Sequence, residues 1–273
     1  MRMSKMSKII PFVLLTAVAA YLLAPLVWLI ITAFKSETEA IMYPPAFLPS
    51  EWRYYNFAEA WRAQDFNLYL FNSALVTILH TAGILISCSL TAYGFARFSF
   101  RGRNVLFIIL LMTMMIPWDV TMIPQYMMFK LFGWVNTHKA LIIPGFMGSA
   151  FYIFLLRQFM MGVPKEFEEA AKIDGAGHFT TFLRVVMPLI KPPLILVGVL
   201  NSIMVWNDYL GPLIFLQDRR KYTLPLGLAA FKGVHETKII PIMCITVVMI
   251  LPPILMFILA QKYIVDQKGG GVK

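Results

Sequence analysis

The chain has 273 residues, 59% hydrophobic and 14% charged, whereas a soluble globular domain carries about 25% charged residues. Its apolar residues come in blocks near the ~20 needed to cross a bilayer as a helix. This excludes an ordinary soluble enzyme or binding module and predicts one integral membrane domain over residues 1–273. The formal net charge of +10 does not point to nucleic acid. With both termini placed inside, the inner segments hold 14 Lys and Arg against 5 Asp and Glu, and the outer segments 10 against 9. That is the asymmetry the positive-inside rule expects, and no basic stripe or aromatic ladder accompanies it.

Arg2, Lys5 and Lys8 precede the first predicted span, residues 9–34. Its apolar run exceeds the roughly 7–15 residues of a signal-peptide core, so it reads as a retained anchor with a cytoplasmic N-terminus. Residues 35–67 form a polar loop with Pro44, Pro45 and Pro49. There Trp52, Tyr54, Tyr55 and Trp61 suit the membrane–water interface, and Glu59-Ala60-Trp61 hints at a short interfacial helix. The second span, residues 68–95, intersperses Asn72, Ser73, Thr77, His80, Ser87 and Ser89 with Ala82 and Gly83, a pattern that allows close helix packing. His80 reads as an interhelical hydrogen-bond former. Arg97, Arg101 and Arg103 make a basic turn on the inner side.

The third span, residues 104–116, is halted by Pro117. Asp119 is placed at the outer interface with Trp118, since an acidic residue at mid-membrane costs about 2.5–3.5 kcal/mol on insertion scales. A short helix interrupted by Pro124 then leads to Gly133-Trp134. The fourth span, residues 139–161, is softened in its first half by Pro144, Gly145 and Gly148, and Arg157 and Gln158 reach toward the inner headgroups. Cys88 and Cys244 fall inside spans, far from any Cys-x-x-Cys spacing, and read as small buried hydrophobes rather than metal or disulfide partners.

Residues 162–188 form a soluble elbow. Pro164 suits the start of a helix, and Glu166, Glu168 and Glu169 put negative charge beside the positive end of the helix dipole. Gly175 and Gly177 are expected to stop the helix after about three turns. Ala170 and Ala171 allow another backbone to come close, as in a docking knob. Glu169, Ala170, Ala171, Gly175 and Pro188 resemble the cytoplasmic signature of the permease subunits of binding-protein-dependent ABC importers, with Val185 and Met187 where Ile and Leu are usual. The match joins several fixed positions to a required context, a loop between two spans.

The fifth span, residues 189–206, opens with Lys191-Pro192-Pro193, tolerated at a helix start. Asn207-Asp208-Tyr209-Leu210-Gly211-Pro212-Leu213 follows and resembles the corresponding stretch of carbohydrate importers of the maltose-transporter kind. The loop of residues 217–238, with Arg219, Arg220, Lys221, Pro225 and Gly227, resembles the exterior loop such permeases present to a binding protein. The sixth span, residues 239–260, contains Pro252 and Pro253, and the tail Gly269-Gly270-Gly271 is flexible by composition.

No nucleophile–base pair, paired acids or Gly-x-x-x-x-Gly-Lys-Ser/Thr phosphate loop is present, and His80, His138, His178 and His235 are scattered. The chain is therefore not expected to be an enzyme, and no cofactor or metal is expected. An ion-coupled secondary transporter is the rival reading; it normally needs ionisable groups at mid-membrane, which these spans nearly lack.

What the resemblance implies is an all-α integral membrane protein of six transmembrane helices, with the type I ABC importer permease fold and a cytoplasmic coupling helix. It implies a permease subunit forming half of a sugar pathway in a bacterial-type cytoplasmic membrane, both termini inside. Its expected partners are a second permease in a heterodimer, two cytoplasmic ATPase subunits and an extracytoplasmic solute-binding protein, with no nucleic acid. The ATPase-docking residues would be Glu169, Ala170, Ala171, Asp174, Gly175 and Pro188. Asn201, Asn207, Asp208 and Tyr209 are candidates for the sugar pathway, because sugars are held by aromatic faces and directional hydrogen bonds.

Overall fold

The computed structural model describes residues 5–231 and 238–265, and every regular element among them is helical. The first helices are α1 (Lys5–Thr32), α2 (Glu37–Ile41), α3 (Tyr55–Arg62), α4 (Phe66–Arg97), α5 (Arg103–Met112), α6 (Trp118–Leu131) and α7 (Lys139–Phe146). They are followed by α8 (Ala150–Gly162), α9 (Glu166–Ile173), α10 (His178–Leu189), α11 (Lys191–Trp206), α12 (Leu210–Phe215), α13 (Leu224–Ala229) and α14 (Ile239–Val265). Four segments are long and apolar enough to cross a membrane: residues 9–32 of α1, α4, the α7–α8 stretch and residues 239–262 of α14. Two bent pairs, the α5 stretch with α6 at 99° and α10 with α11 at 79°, bring the number to six if each counts as one span. The expected basic residue Arg2, His235 and the glycine tail lie outside the described residues.

Among the described residues, one packed unit comprises residues 5–67, 227–231 and 238–251. Its polar loop is ordered by a capping box that opens α2. The Ser36 hydroxyl accepts from the Glu39 N–H at 3.2 Å, and Glu39 Oε2 accepts from the Ser36 N–H at 3.0 Å. The second Glu39 oxygen accepts from the Ser50 N–H at 2.9 Å, tying the far end of the loop to the same carboxylate. Asn56 on α3 donates to the carbonyls of Ala33 and Lys35, both at 2.9 Å, so the short interfacial helix expected around Glu59 is present and anchored. Lys35 is fully buried. Its ammonium donates to the Ala46 carbonyl at 2.5 Å and lies 4.3 Å from the Trp28 ring centroid, which offsets the cost of removing the charge from water.

The second unit comprises, among the described residues, 68–226 and 252–265. Its core is built from Ile84, Cys88 and Ala92 of α4, Leu156 and Met160 of α8, Val186 of α10 and Val197 of α11. Small residues set the approach of α4 to α7. A Cβ on Gly83 would lie 2.8 Å from the Phe146 backbone nitrogen, and one on Gly145 would overlap the His80 backbone and ring. With the backbones this close, the Ser87 hydroxyl reaches the Gly145 carbonyl at 3.1 Å. His80 does not form the interhelical hydrogen bond expected of it through Nδ1, which is buried with no partner among the described residues. The close contact with Gly145 places the ring by packing instead.

Element boundaries depart from expectation where glycine and proline intervene. The fourth apolar block breaks at residues 147–149, where Gly148 takes φ +84°, a conformation side chains disfavour. Toward the end of α4 that leads into residues 66–80, Asn72 Nδ2 donates to the carbonyls of Arg220 and Tyr222 at 2.9 and 3.0 Å. The Ser73 hydroxyl accepts from the Leu224 N–H at 2.8 Å. These bonds fold the stretch before α13 back onto α4.

Two outcomes are expected. Gly83→Ala forces the α4–α7 contact apart and destabilises by about 1–3 kcal/mol, whereas Gly94→Ala, with nothing within 4 Å of the added carbon, is neutral or stabilising; thermal unfolding in detergent checks both. Hydrogen bonds from Ser50 and then Ser36 lower the Glu39 carboxyl to about 2. The capping box is therefore fully present above the ordinary carboxylate range and is lost only as pH falls through about 2, which a carboxyl-carbon NMR titration reads directly.

Candidate functional site

The elbow is carried by α9, eight residues or about 12 Å long, so it is two turns rather than the three expected. Its first turn holds Glu166, Glu168 and Glu169, where negative charge meets the helix dipole. Its end is set by Gly175 alone, at φ +81°, with the Ala176 N–H donating to the Ala171 carbonyl at 2.9 Å. Gly177 has an extended backbone and starts α10 instead.

The three acids, alike in sequence, have different surroundings. Glu169 and Glu166 are exposed, while Glu168 is buried and ion-paired with Arg97 at the end of α4, the two side chains 9% and 6% exposed. The Tyr93 hydroxyl donates to the other Glu168 oxygen at 3.3 Å, and Arg97 Nη2 donates to the Val163 carbonyl at 2.8 Å. Tyr93 also packs on Phe182 of α10, centroids 5.0 Å apart, and Phe98 meets the His178 ring edge-on at 5.2 Å. One cluster thus binds the C-terminal end of α4 to the chain entering α9, to α9 itself and to α10. Sequence reasoning missed Glu168 and Arg97 as a pair. No local signal marks the pair, because Glu168 differs from its neighbouring acids only in its angle about the helix axis; Ala171, three residues on, is half-buried on the same side.

The opposite face is open. Glu169, Ala170, Asp174 and Gly175 are exposed, and so are Phe167 and Ile173, the latter 87% exposed. Pro188 is exposed on α10, directly after a π-helical turn at Phe182–Val186. Proline offers no N–H to the carbonyl four residues earlier and crowds it, and the widened turn contains that carbonyl, at Arg184. Such turns mark places where a helix is locally reshaped.

A second feature is a cavity of about 420 Å³ at the other end of the same unit, lined by α4, α6, α7, the end of α11, α12 and Thr223. Of the four pathway candidates it gathers only Asp208. That carboxylate accepts from the Gly211 N–H at 3.1 Å, and burial pushes its pKa up. Asn201 is wholly buried and donates to Thr81 Oγ1 at 2.8 Å, so it is a bond between α11 and α4 rather than a pathway lining. Asn207 is exposed and donates back to the Ile203 carbonyl at 2.8 Å. Tyr209 is partly exposed and does not line the cavity. The residues sequence reasoning missed are His80, Trp118, Gln125 and Thr223, brought together from segments far apart in the chain. Trp118, expected at the outer interface beside Asp119, donates its indole N–H to Gln125 Oε1 at 3.3 Å. No group of three potential metal ligands occurs among the described residues.

Membrane-length helices, a largely apolar cavity with a few polar groups at one end and an exposed helical elbow bound to the bundle at the other define a helical membrane transport protein. Residues 81–267 match the family described as the binding-protein-dependent transport system inner membrane component, and the chain belongs to that family. It is similar to the arabinooligosaccharides transport system permease protein AraQ of Halalkalibacterium halodurans, 31% identical over 91% of this chain and 90% of that one. It is also similar to the diacetylchitobiose uptake system permease protein NgcG of Streptomyces coelicolor, 30% identical over 91% of this chain and 83% of that one. A chain in the crystal structure of a bacterial ABC transporter that imports the acidic polysaccharide alginate superposes with a TM-score of 0.83 at 25% identity, covering 96% of this chain and 98% of that one. The fold is the type I ABC importer permease fold, and the chain is a multi-pass inner membrane component.

Arg97→Met leaves Glu168 buried without its cation and is expected to destabilise by about 3–5 kcal/mol. Arg97→Met with Glu168→Met removes both charges and restores most of that loss, read from unfolding midpoints of the purified chain in detergent.

Proposed function

We propose that this chain is one permease subunit of an ATP-driven sugar or oligosaccharide importer, forming half of the translocation pathway as a single domain. The observation that carries the reading is the elbow, an exposed two-turn helix with Glu169, Ala170, Asp174 and Gly175 on its open side and a buried ion pair on the other. The sugar assignment is supported by relatives named for arabinooligosaccharides and diacetylchitobiose.

In this reading both termini and the elbow face the cytoplasm, two ATPase subunits grip this chain and a second permease, and a solute-binding protein delivers the sugar from outside. ATP binding closes the ATPase pair and displaces α9. The open face of α9 offers Phe167 and Ile173 as apolar contacts, Ala170 allows close approach, and Glu169 supplies a charge to a basic group on the ATPase. Pro188, beyond the widened turn of α10, lets the helix pair α10–α11 reshape as α9 moves. Because Arg97 holds Glu168, displacement of α9 is passed directly to α4, whose other end lines the cavity. The chain itself contributes no hydrolysis.

Gly175→Pro is incompatible with φ +81°, and Ala170→Arg puts a long cation on the docking face. In proteoliposomes holding both permeases, the ATPases and the binding protein, each variant is expected to insert normally yet lose ATP-driven sugar uptake. Normal uptake in both, or uptake driven by an ion gradient without ATP, sinks the reading.

A further inference from the structure

Where α4 turns into α5 and α8 packs beside it, the structure gathers arginines without acids. Arg101 lies in the turn, Arg103 opens α5, and Arg157 comes from the second half of α8. The Arg157 guanidinium lies 4.1 Å from the centroid of the Phe107 ring, and its Nε donates to the Phe95 carbonyl at 3.3 Å. Phe107 is one turn beyond Arg103 on the same helix face, and its ring packs on those of Phe95 and Phe154 with centroids 5.4 and 6.4 Å apart. Arg103 donates from Nη1 to the Phe98 carbonyl at 3.3 Å and from Nε to Asn104 Oδ1 at 3.5 Å, and its charge stands near enough to act on Arg157.

A guanidinium has five N–H groups, so these bonds leave both Nη groups of Arg157 and Nη2 of Arg103 without a partner among the described residues. None of the three is among the buried unpartnered atoms, so all are accessible. The ion pairs among the described residues are Arg53 with Glu51 and Arg97 with Glu168, and neither involves this cluster. Like charges side by side repel most where water is partly excluded, and an anion between them removes that cost. Guanidinium groups recognise phosphate through paired, parallel N–H bonds. A hollow of about 290 Å³, lined by Ser99, Gly102, Arg103 and Asn104 among others, opens at the same turn.

What lies beyond the charges selects the source of the phosphate. Val105, Leu106, Ile108 and Ile109 are 51–61% exposed and continue from Arg103 along α5, which belongs to one of the bent membrane-length pairs. Free phosphate would leave this apolar face unused, whereas a phospholipid covers it with an acyl chain while its phosphodiester meets the arginines. A zwitterionic lipid would bring one more cation to a place that already holds three. An anionic headgroup brings none, and basic clusters at the membrane boundary attract such lipids.

We propose that Arg103 and Arg157 form a binding site for the phosphodiester of an anionic phospholipid, with Arg101 adding charge and the exposed face of α5 receiving an acyl chain. The lipid bridges α5 to α8, the helix that leads into the elbow. This goes beyond the importer reading and depends only on the chain being a membrane protein.

The test is native mass spectrometry of the full-length chain in detergent, titrated with palmitoyl-oleoyl phosphatidylglycerol or with the phosphatidylcholine of the same acyl chains, and with glycerol phosphate as the free anion. One phosphatidylglycerol is expected to bind several-fold more tightly than phosphatidylcholine. Arg103→Gln with Arg157→Gln is expected to remove that preference. Arg219→Gln with Arg220→Gln, an equal loss of charge at exposed residues before α13, is expected to leave it unchanged. Val105→Asn with Ile109→Asn, at exposed positions where the fold is not at stake, is expected to weaken phosphatidylglycerol several-fold with every arginine in place. Equal binding of the two lipids overturns the proposal and leaves the arginines to a protein partner. A preference that survives the Arg103 and Arg157 changes, or falls equally with those at Arg219 and Arg220, overturns the site. Displacement of the lipid by an equal concentration of glycerol phosphate, or no effect of the Val105 and Ile109 changes, overturns the lipid as its occupant.

Discussion

The ion pair between Arg97 and Glu168 is the constraint on which the working geometry depends. A buried ion pair is not by itself a source of stability, because desolvating two charges costs as much as their attraction returns unless the remaining hydrogen-bonding capacity is met. Here each partner has one further bond: Tyr93 donates to the carboxylate, and Arg97 donates on to the Val163 carbonyl. A guanidinium holding two acceptors in fixed directions also restricts orientation in a way an apolar contact does not. The result is a short helix that cannot swing freely on its two flanking turns. Without that tie, α9 would be a two-turn helix, too short to be stable alone, and its open face would have no defined direction.

Holding one face of α9 leaves the other available. Ile173 and Phe167 stay in contact with solvent although both are apolar, and Ala170 lies between them in sequence. An exposed apolar patch flanked by acids marks a surface made for a partner. The π-turn of α10 adds compliance immediately after this rigid node, since one widened turn lets the helix lead into Pro188 and the 79° bend to α11 without breaking. In the proposed reading, the fixed node at Arg97 transmits a displacement of α9 and the widened turn at residues 182–186 absorbs part of it.

At the other end of α4 the logic is reversed. Near Gly83 the backbones of α4 and α7 touch and polar groups find partners, as Ser87 does on Gly145. Toward its N-terminal end, Ser73, Val76 and His80 of α4 border the cavity shared with α6, α7 and α12. The same helix is therefore tied to α9 and α10 at its C-terminal end and lines the cavity at its N-terminal one.

Much of this could be read along the chain. Blocks of apolar residues near twenty in length determined a helical membrane protein, because backbone groups in lipid must be satisfied within the segment. Pro164, the run of acids and Gly175 determined that a short capped helix lies between two spans, and Glu59-Ala60-Trp61 marked α3 correctly. Three-dimensional packing alone decided which acid is buried, since Glu166, Glu168 and Glu169 have the same local chemistry and differ only in their angle about the helix axis. It also decided that Asn201 is a bond between helices rather than a pathway residue, for its fate depends on Thr81, 120 positions away. The cavity was invisible in sequence for the same reason: Ser73, Trp118, Asp208 and Thr223 come from four distant segments, and no local pattern encodes where backbones separated by such lengths of chain will leave a space.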